Sequence, residues 1–413
     1  MKSDIKTKID KLLYGGKPTK RQIKKTNQKN LKKEIDLLKF MRLIILSAFF
    51  CLVTTQCWSE SIPENTAGLL LGLRTATNNS EEGEGPEKPI RYRTLWIRSV
   101  SGKIRTLTGS GIIVPYGKKF WKIKNGYFTK EVANEMGDFT TQIEYLRANP
   151  LGKPVSVNSA LQTYGQEMMG GWSYVGEKAK LMFVGNCYVG IERNNHYSSG
   201  GSYRPDFDTL EVREIKDINR VFRAEEPDGS LEPEKCVSVK RVFGDSVSPY
   251  LQKYQARKAE EQSEVEPKIT VTNITDEYGW GLKRRNARWI PQLAVKWYAN
   301  WSWSSAEKYE LEELPLALPS QLMAYNNAAC DFSQIKKAVL NAKDAFVAPD
   351  RTLSVVFTPG KLLIYRGENF QNPAAVVKLG STETPIMSEW ALGSYASQWT
   401  SVLKSYLKAY QYQ

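Results

Sequence analysis

The clearest pattern in this chain is a series of short apolar runs broken by glycine-containing turns. Leu95-Trp96-Ile97-Arg98-Ser99-Val100, Ile104-Arg105-Thr106-Leu107, Ile112-Ile113-Val114 and Phe120-Trp121-Lys122-Ile123 follow one another across Ser101-Gly102-Lys103, Gly109-Ser110-Gly111 and Tyr116-Gly117-Lys118. Runs of this length at this spacing predict an antiparallel meander. The pattern returns at residues 182–184, 188–191 and 209–213, and again at 353–357, 362–365 and 376–379. Helical spacing is rarer. Phe332, Ile335, Val339 and Leu340 suit a short amphipathic helix ending before Pro349. Leu392, Tyr395, Ala396, Trp399, Leu403, Tyr406 and Tyr410 keep a helical period behind Pro385, with Ser388 placed to cap it.

These elements predict a β-rich α+β fold, with antiparallel meanders and a C-terminal amphipathic helix packed on a sheet. A β-propeller is the alternative, because many short strands suit repeated blades of about 40–50 residues. Residues 251–266 are mostly charged and mark the best internal boundary, so that 94–256 and 269–413 form two halves of the β-rich region. Residues 60–93 are polar around Asn78-Asn79-Ser80-Glu81-Glu82-Gly83-Glu84-Gly85-Pro86 and read as a flexible spacer. Within it the short Leu69-Leu70-Leu71-Gly72-Leu73 run is placed to dock on the domain.

One apolar stretch has a different character. In residues 41–59, Met41 and Arg42 precede eleven mostly apolar residues, 43–53, with small residues at Cys57 and Ser59. That is the layout of a secretory signal peptide. The uncharged run, 43–59, is seventeen residues long, at the lower limit for spanning a bilayer. A cleaved signal is the first reading and a retained membrane anchor the second, and both place the remainder outside the cytoplasm. A core helix of a soluble protein is the third, and the flank pattern argues against it. Residues 1–40 form a basic leader, with 13 Lys or Arg against 4 Asp or Glu. If translation begins at Met41, that leader is not translated.

Charge takes on a new meaning after this division. The whole chain carries +14, which suggests nucleic acid. But residues 1–59 hold 14 of the 58 bases and only 4 of the 44 acids, leaving 44 bases against 40 acids beyond them. A nucleic-acid footprint belongs on the folded domain, and this excess does not lie there. Nucleic acid is accordingly not expected as a partner.

Candidate chemistry is sparse. Cys187, Cys236 and Cys330 lie beyond residue 59, and Cys187–Cys236 is the disulfide candidate for an oxidising compartment. Three cysteines and the single histidine, His196, argue against a zinc site, and no motif calls for a metal or cofactor. Glu192, Asp206, Asp208 and Glu211 supply the carboxylates for a hydrolase reading. Residues 289–303 are the most aromatic part of the chain, with Trp289, Trp297, Tyr298, Trp301 and Trp303. Trp301 and Trp303 on one strand face would offer a flat platform for a glycan or an apolar peptide, flanked by Trp297. Lys283, Arg284, Arg285 and Arg288 stand just before them, with Arg284 and Arg285 the candidates to assist an acidic ligand.

Tyr188-Val189-Gly190-Ile191-Glu192 followed by Tyr197-Ser198-Ser199-Gly200-Gly201-Ser202 resembles the strand and Tyr-x-x-Gly-Gly-Ala-His loop of extracytoplasmic domains in lysozyme-sensing anti-sigma factors. Phe357-Thr358-Pro359-Gly360-Lys361-Leu362-Leu363-Ile364-Tyr365 is similar to a later hairpin of those domains. Ser202-Tyr203 stands where that loop has Ala-His. The expectation is an exported, non-enzymatic cell-envelope protein that binds a ligand or partner. The alternatives are an envelope hydrolase with paired carboxylates and a membrane-anchored extracytoplasmic sensor.

Overall fold

A computed structural model describes residues 67–75, 90–134, 137–153, 174–199, 202–203, 207–218, 236–253, 277–297, 308–326 and 331–411. The largest sheet draws first on β1 (Gly68–Thr75), β2 (Arg91–Val100), β3 (Lys103–Ser110), β4 (Ile112–Tyr116), β5 (Lys119–Asn134) and β6 (Gly137–Pro150). It continues through β7 (Tyr174–Val184), β8 (Tyr188–Ser199), β9 (Ser202–Tyr203) and β10 (Phe207–Glu214). Helix α1 (Val239–Phe243) leads to a three-stranded sheet of β11 (Trp280–Arg285), β12 (Arg288–Trp297) and β13 (Lys308–Glu313). After α2 (Phe332–Ala338) comes a four-stranded sheet of β14 (Asp344–Val347), β15 (Leu353–Thr358), β16 (Lys361–Arg366) and β17 (Ala375–Lys378). The chain then re-enters the large sheet with β18 (Glu383–Ala391), crosses it as α3 (Ser394–Leu403) and closes on β19 (Lys408–Ala409).

The fold is thus β-rich with few helices, as the apolar runs predict. It is not built of blades. Among the described residues, twelve strands share one sheet, in the order β19-β3-β2-β1-β18-β7-β6-β5-β4, with β8, β9 and β10 branching from β7. Nearly all of its ladders are antiparallel. The exceptions lie along β7, which pairs in parallel with β6 over Val175 to Lys178 and with β18 through the single rung Met387↔Val184.

The apolar run at 69–73 is a central strand of the sheet rather than part of a spacer. Leu69, Leu71 and Leu73 face the four-stranded sheet, among Leu353, Val355, Leu362 and Ile364, while Leu70 joins the core on the other side. All four leucines are fully buried. A continuous apolar run is what a strand covered on both faces requires. Each such side chain contributes about 1.5–3 kcal/mol of burial.

The charged segment after residue 251 does not separate two cores. Phe183, Val212 and Val242 pack in one cluster with Trp280, Trp289 and Leu293, and so join the two halves. Residues 64–413 form one compact unit.

The C-terminal helix does cover a sheet, but it is shorter than its periodicity suggests. Ser388, expected as its cap, lies inside β18 opposite Leu71, and the helix starts after Gly393. Tyr406 and Tyr410 fall beyond its end. Trp399 packs on Trp96 with ring centroids 5.8 Å apart, and Thr400 accepts hydrogen bonds from Trp96 Nε1 and Arg98, each at 3.1 Å. The short helix at 332 forms as expected, burying Phe332 and Ile335 and leaving Leu340 exposed.

Candidate functional site: a basic pocket at the β11–β12 hairpin

The basic run 283–288 forms a tight hairpin. Arg285 and Arg288 face each other across the two-residue turn Asn286-Ala287, whose φ angles are 51° and 63°. Both central residues in the left-handed region define the turn whose twist matches paired strands. Asparagine adopts that conformation readily and alanine does not, so Ala287 has to be held. Its N–H donates to Asp344 Oδ1 at 2.9 Å.

Strand alternation then divides the basic side chains. Lys283 and Arg285 point outward, while Arg284 turns inward between the two small sheets. Its guanidinium pairs with Asp344 at 2.5 Å, donates to the Ala345 carbonyl, and lies 3.6 Å from the centroid of the Phe346 ring. Arg284, expected to assist a ligand, is a buried structural group. Trp289 is buried as well, donating from Nε1 to Ser388 Oγ at 3.1 Å.

Arg285 and Arg288 do reach a surface pocket of about 490 Å³, together with Lys336 from α2. Ile290 and Phe332 supply its apolar lining. Arg285 also pairs with Glu313 at 2.6 Å. The pocket's acid, Asp331, caps α2, accepting from the Ser333 N–H at 3.0 Å and the Ser333 hydroxyl at 2.8 Å. These bonds, together with Arg288 and Lys337, hold its carboxyl below the usual range. The arrangement suits a ligand with an acidic group and an apolar portion. Lys336 lies fifty residues from the hairpin turn, and no local signal in the sequence joins it to Arg285.

Trp297 occupies the last position of β12, opposite Lys308, with its side chain outside the described set. Trp301, Trp303, Cys330 and Asp206 lie outside the described residues. Asp208 stands opposite Asn194, and His196 opposite Gly176, with both side chains likewise outside that set.

Glu192 and Glu211 do not form a catalytic pair. Glu192 is opposite Leu210 and Glu211 is opposite Ile191, so adjacent positions place the two acids on different faces of the sheet. Glu192 is tied to Lys180 and accepts from the Tyr309 hydroxyl at 2.7 Å. Glu211 is fully buried between Arg193 at 2.7 Å and Arg213 at 2.9 Å. Burial alone would raise its pKa, but the two guanidinium groups hold it down to about 2.

Cys187 and Cys236 are free thiols in this structure rather than the expected disulfide. Cys236 donates to Glu211 Oε2 at 3.4 Å, and burial followed by that neighbouring charge pushes its thiol pKa up. A thiol so disposed is a poor nucleophile. Sequence reasoning missed Glu389, which is buried in β18 opposite Leu70 with its Oε1 lacking any hydrogen-bond partner. Burial raises its pKa to about 8.

No protein-family model matches the chain, and no curated protein is similar to it. Among solved structures, the chain is similar to the crystal structure of a member of the DUF3298 family from Bacteroides fragilis. The two are 6% identical, the match covers 46% of this chain and 90% of that one, and the TM-score is 0.29. A likeness at that level bears on neither fold nor function.

Proposed function

We propose that this protein is an exported, non-enzymatic cell-envelope protein whose folded domain binds an acidic ligand at the β11–β12 hairpin. The supporting observation is the convergence of Arg285, Arg288 and Lys336 from separate elements on one pocket with an apolar lining. Arg285 is already engaged by Glu313, so Arg288 and Lys336 are the cations that meet the ligand. Trp301 and Trp303, four and six residues beyond β12, are proposed as a stacking platform for a sugar ring or an apolar peptide. The opposed faces of Glu192 and Glu211 favour binding over hydrolysis.

Export rests on the pattern of residues 41–59. Two experiments test the reading. The N-terminal sequence and cell fraction of the native protein should give a start near Glu60 outside the cytoplasm, or a membrane-bound chain if the segment is retained. A cytoplasmic, uncleaved chain would remove the envelope from the account. Replacing Trp301 and Trp303 with alanine should abolish ligand binding with little change in thermal midpoint. A large fall in the midpoint would make them core residues.

A further inference from the structure

A second basic site, sharing no residue with the first, is built on the long β5–β6 ladder. The register sets Lys122 opposite Asn149, Lys124 opposite Arg147 and Gly126 opposite Tyr145. Positions two apart on one strand, and their direct partners, share a face, so Lys122, Lys124 and Arg147 project together. Lys153, from the turn after β6, and Tyr406, from beyond α3, complete a pocket of about 450 Å³.

Among the described residues, four cations and no acid line this pocket. Glu144 alternates to the opposite face, where it accepts from the Tyr127 hydroxyl at 3.0 Å and from the Asn125 side-chain amide. The cationic face is also shaped by its neighbours. A Cβ at Gly126 would fall 2.4 Å from the Tyr145 ring, so glycine is what allows that ring to lie across β5. The Arg147 guanidinium then sits 4.7 Å from the ring centroid, held by a cation–π contact. At Gly152, φ is +81° and a Cβ would approach the Tyr406 hydroxyl to 3.0 Å.

Like charges directly opposite on paired strands repel. Lys124 and Arg147 are so placed, and burial together with the Lys124 charge lowers the pKa of Lys122. A bound anion relieves that repulsion. A single carboxylate offers one charge, whereas a phosphate monoester brings close to two and three acceptor oxygens for lysine and arginine donors. We propose that this pocket binds a terminal phosphate group, either of a small soluble ligand or of a lipid whose headgroup is a phosphate monoester.

Calorimetric titration of the full chain at low salt tests this with two probes. Inorganic pyrophosphate represents the soluble source and phosphatidic acid vesicles the lipid source. The expected result is saturable binding of at least one probe, weakened at least tenfold by combining Lys124→Gln with Arg147→Gln. All comparisons are made with Arg288→Glu and Lys336→Glu in place, so that acidic-probe binding at the hairpin pocket does not enter them. Pyrophosphate binding identifies a soluble ligand, and vesicle binding alone identifies the headgroup. If the double glutamine variant loses stability, Lys153→Glu at the exposed turn replaces it and should also weaken binding. Absence of saturable binding to both probes, or equal binding by the variants, would overturn the proposal. Neither result depends on whether the hairpin pocket binds an acidic ligand.

Discussion

Arg284 and Asp344 form an ion pair at 2.5 Å in which the two side chains are only 7% and 11% exposed. The same carboxylate holds the Ala287 N–H of the hairpin turn. A single acid on β14 therefore neutralises the buried arginine and fixes the turn that displays Arg285 and Arg288.

Asp344→Ala should destabilise the protein by about 3–5 kcal/mol, because it leaves Arg284 charged and unpaired among Phe346 and Trp289. Asp344→Asn should cost less, since an amide oxygen can still accept from Ala287. Urea unfolding of both variants checks the order. Equal, small effects would mean the pair does not organise the hairpin.

Glu389 should make stability fall as pH rises. Its folded-state pKa, raised to about 8 by burial, lies above the ordinary carboxylate value of 4.5. The folded protein therefore binds a proton that the unfolded chain gives up. The contribution is fully present below the ordinary carboxylate range and is lost as pH approaches 8, at up to about 1.4 kcal/mol per pH unit. Unfolding free energies between pH 5 and 8.5 should show this slope in the native protein and a flatter profile in Glu389→Gln. Identical profiles would show that Glu389 ionises freely.

Glu211 should act in the opposite direction. Held down to about 2 by Arg193 and Arg213, it contributes stability above the ordinary carboxylate range that is lost as pH falls toward 2. Glu211→Ala should cost about 3–5 kcal/mol at neutral pH by removing the buried carboxylate that Arg193 and Arg213 share. Acid titration followed by circular dichroism, comparing native protein with Glu211→Gln, measures the effect. An unchanged acid limb would contradict it.

Most strands could be read from the chain because their apolar runs are short and their turns contain glycine, as in the 353–365 hairpin. The meander expected over 95–123 is instead two separate hairpins, β2–β3 and β4–β5, with β3 and β4 toward opposite ends of the strand order. β1 and β18 were hidden for a physical reason. They pair with each other across about 300 residues, and a strand buried on both faces shows no alternation to set against a helix. Tyr406 and Tyr410 happen to continue a helical period past the true end of α3. At the site, the basic run was visible but its division was not. Once 280–285 is a strand, period two sends Arg284 inward and Arg285 outward. Lys336 and the Lys124–Arg147 pairing depend on tertiary contacts and long register, which spacing alone does not reveal.

The most direct test of the central claim is titration of the full chain with two carboxylate probes, a hexaglutamate peptide and a trigalacturonate oligosaccharide. They present the same acidic chemistry on a peptide and on a glycan. The account predicts saturable binding of at least one, lost when Arg288→Glu and Lys336→Glu are combined, with the thermal midpoint preserved because both side chains line an open pocket. Saturable binding that persists unchanged in that variant, or none with either probe, would contradict it.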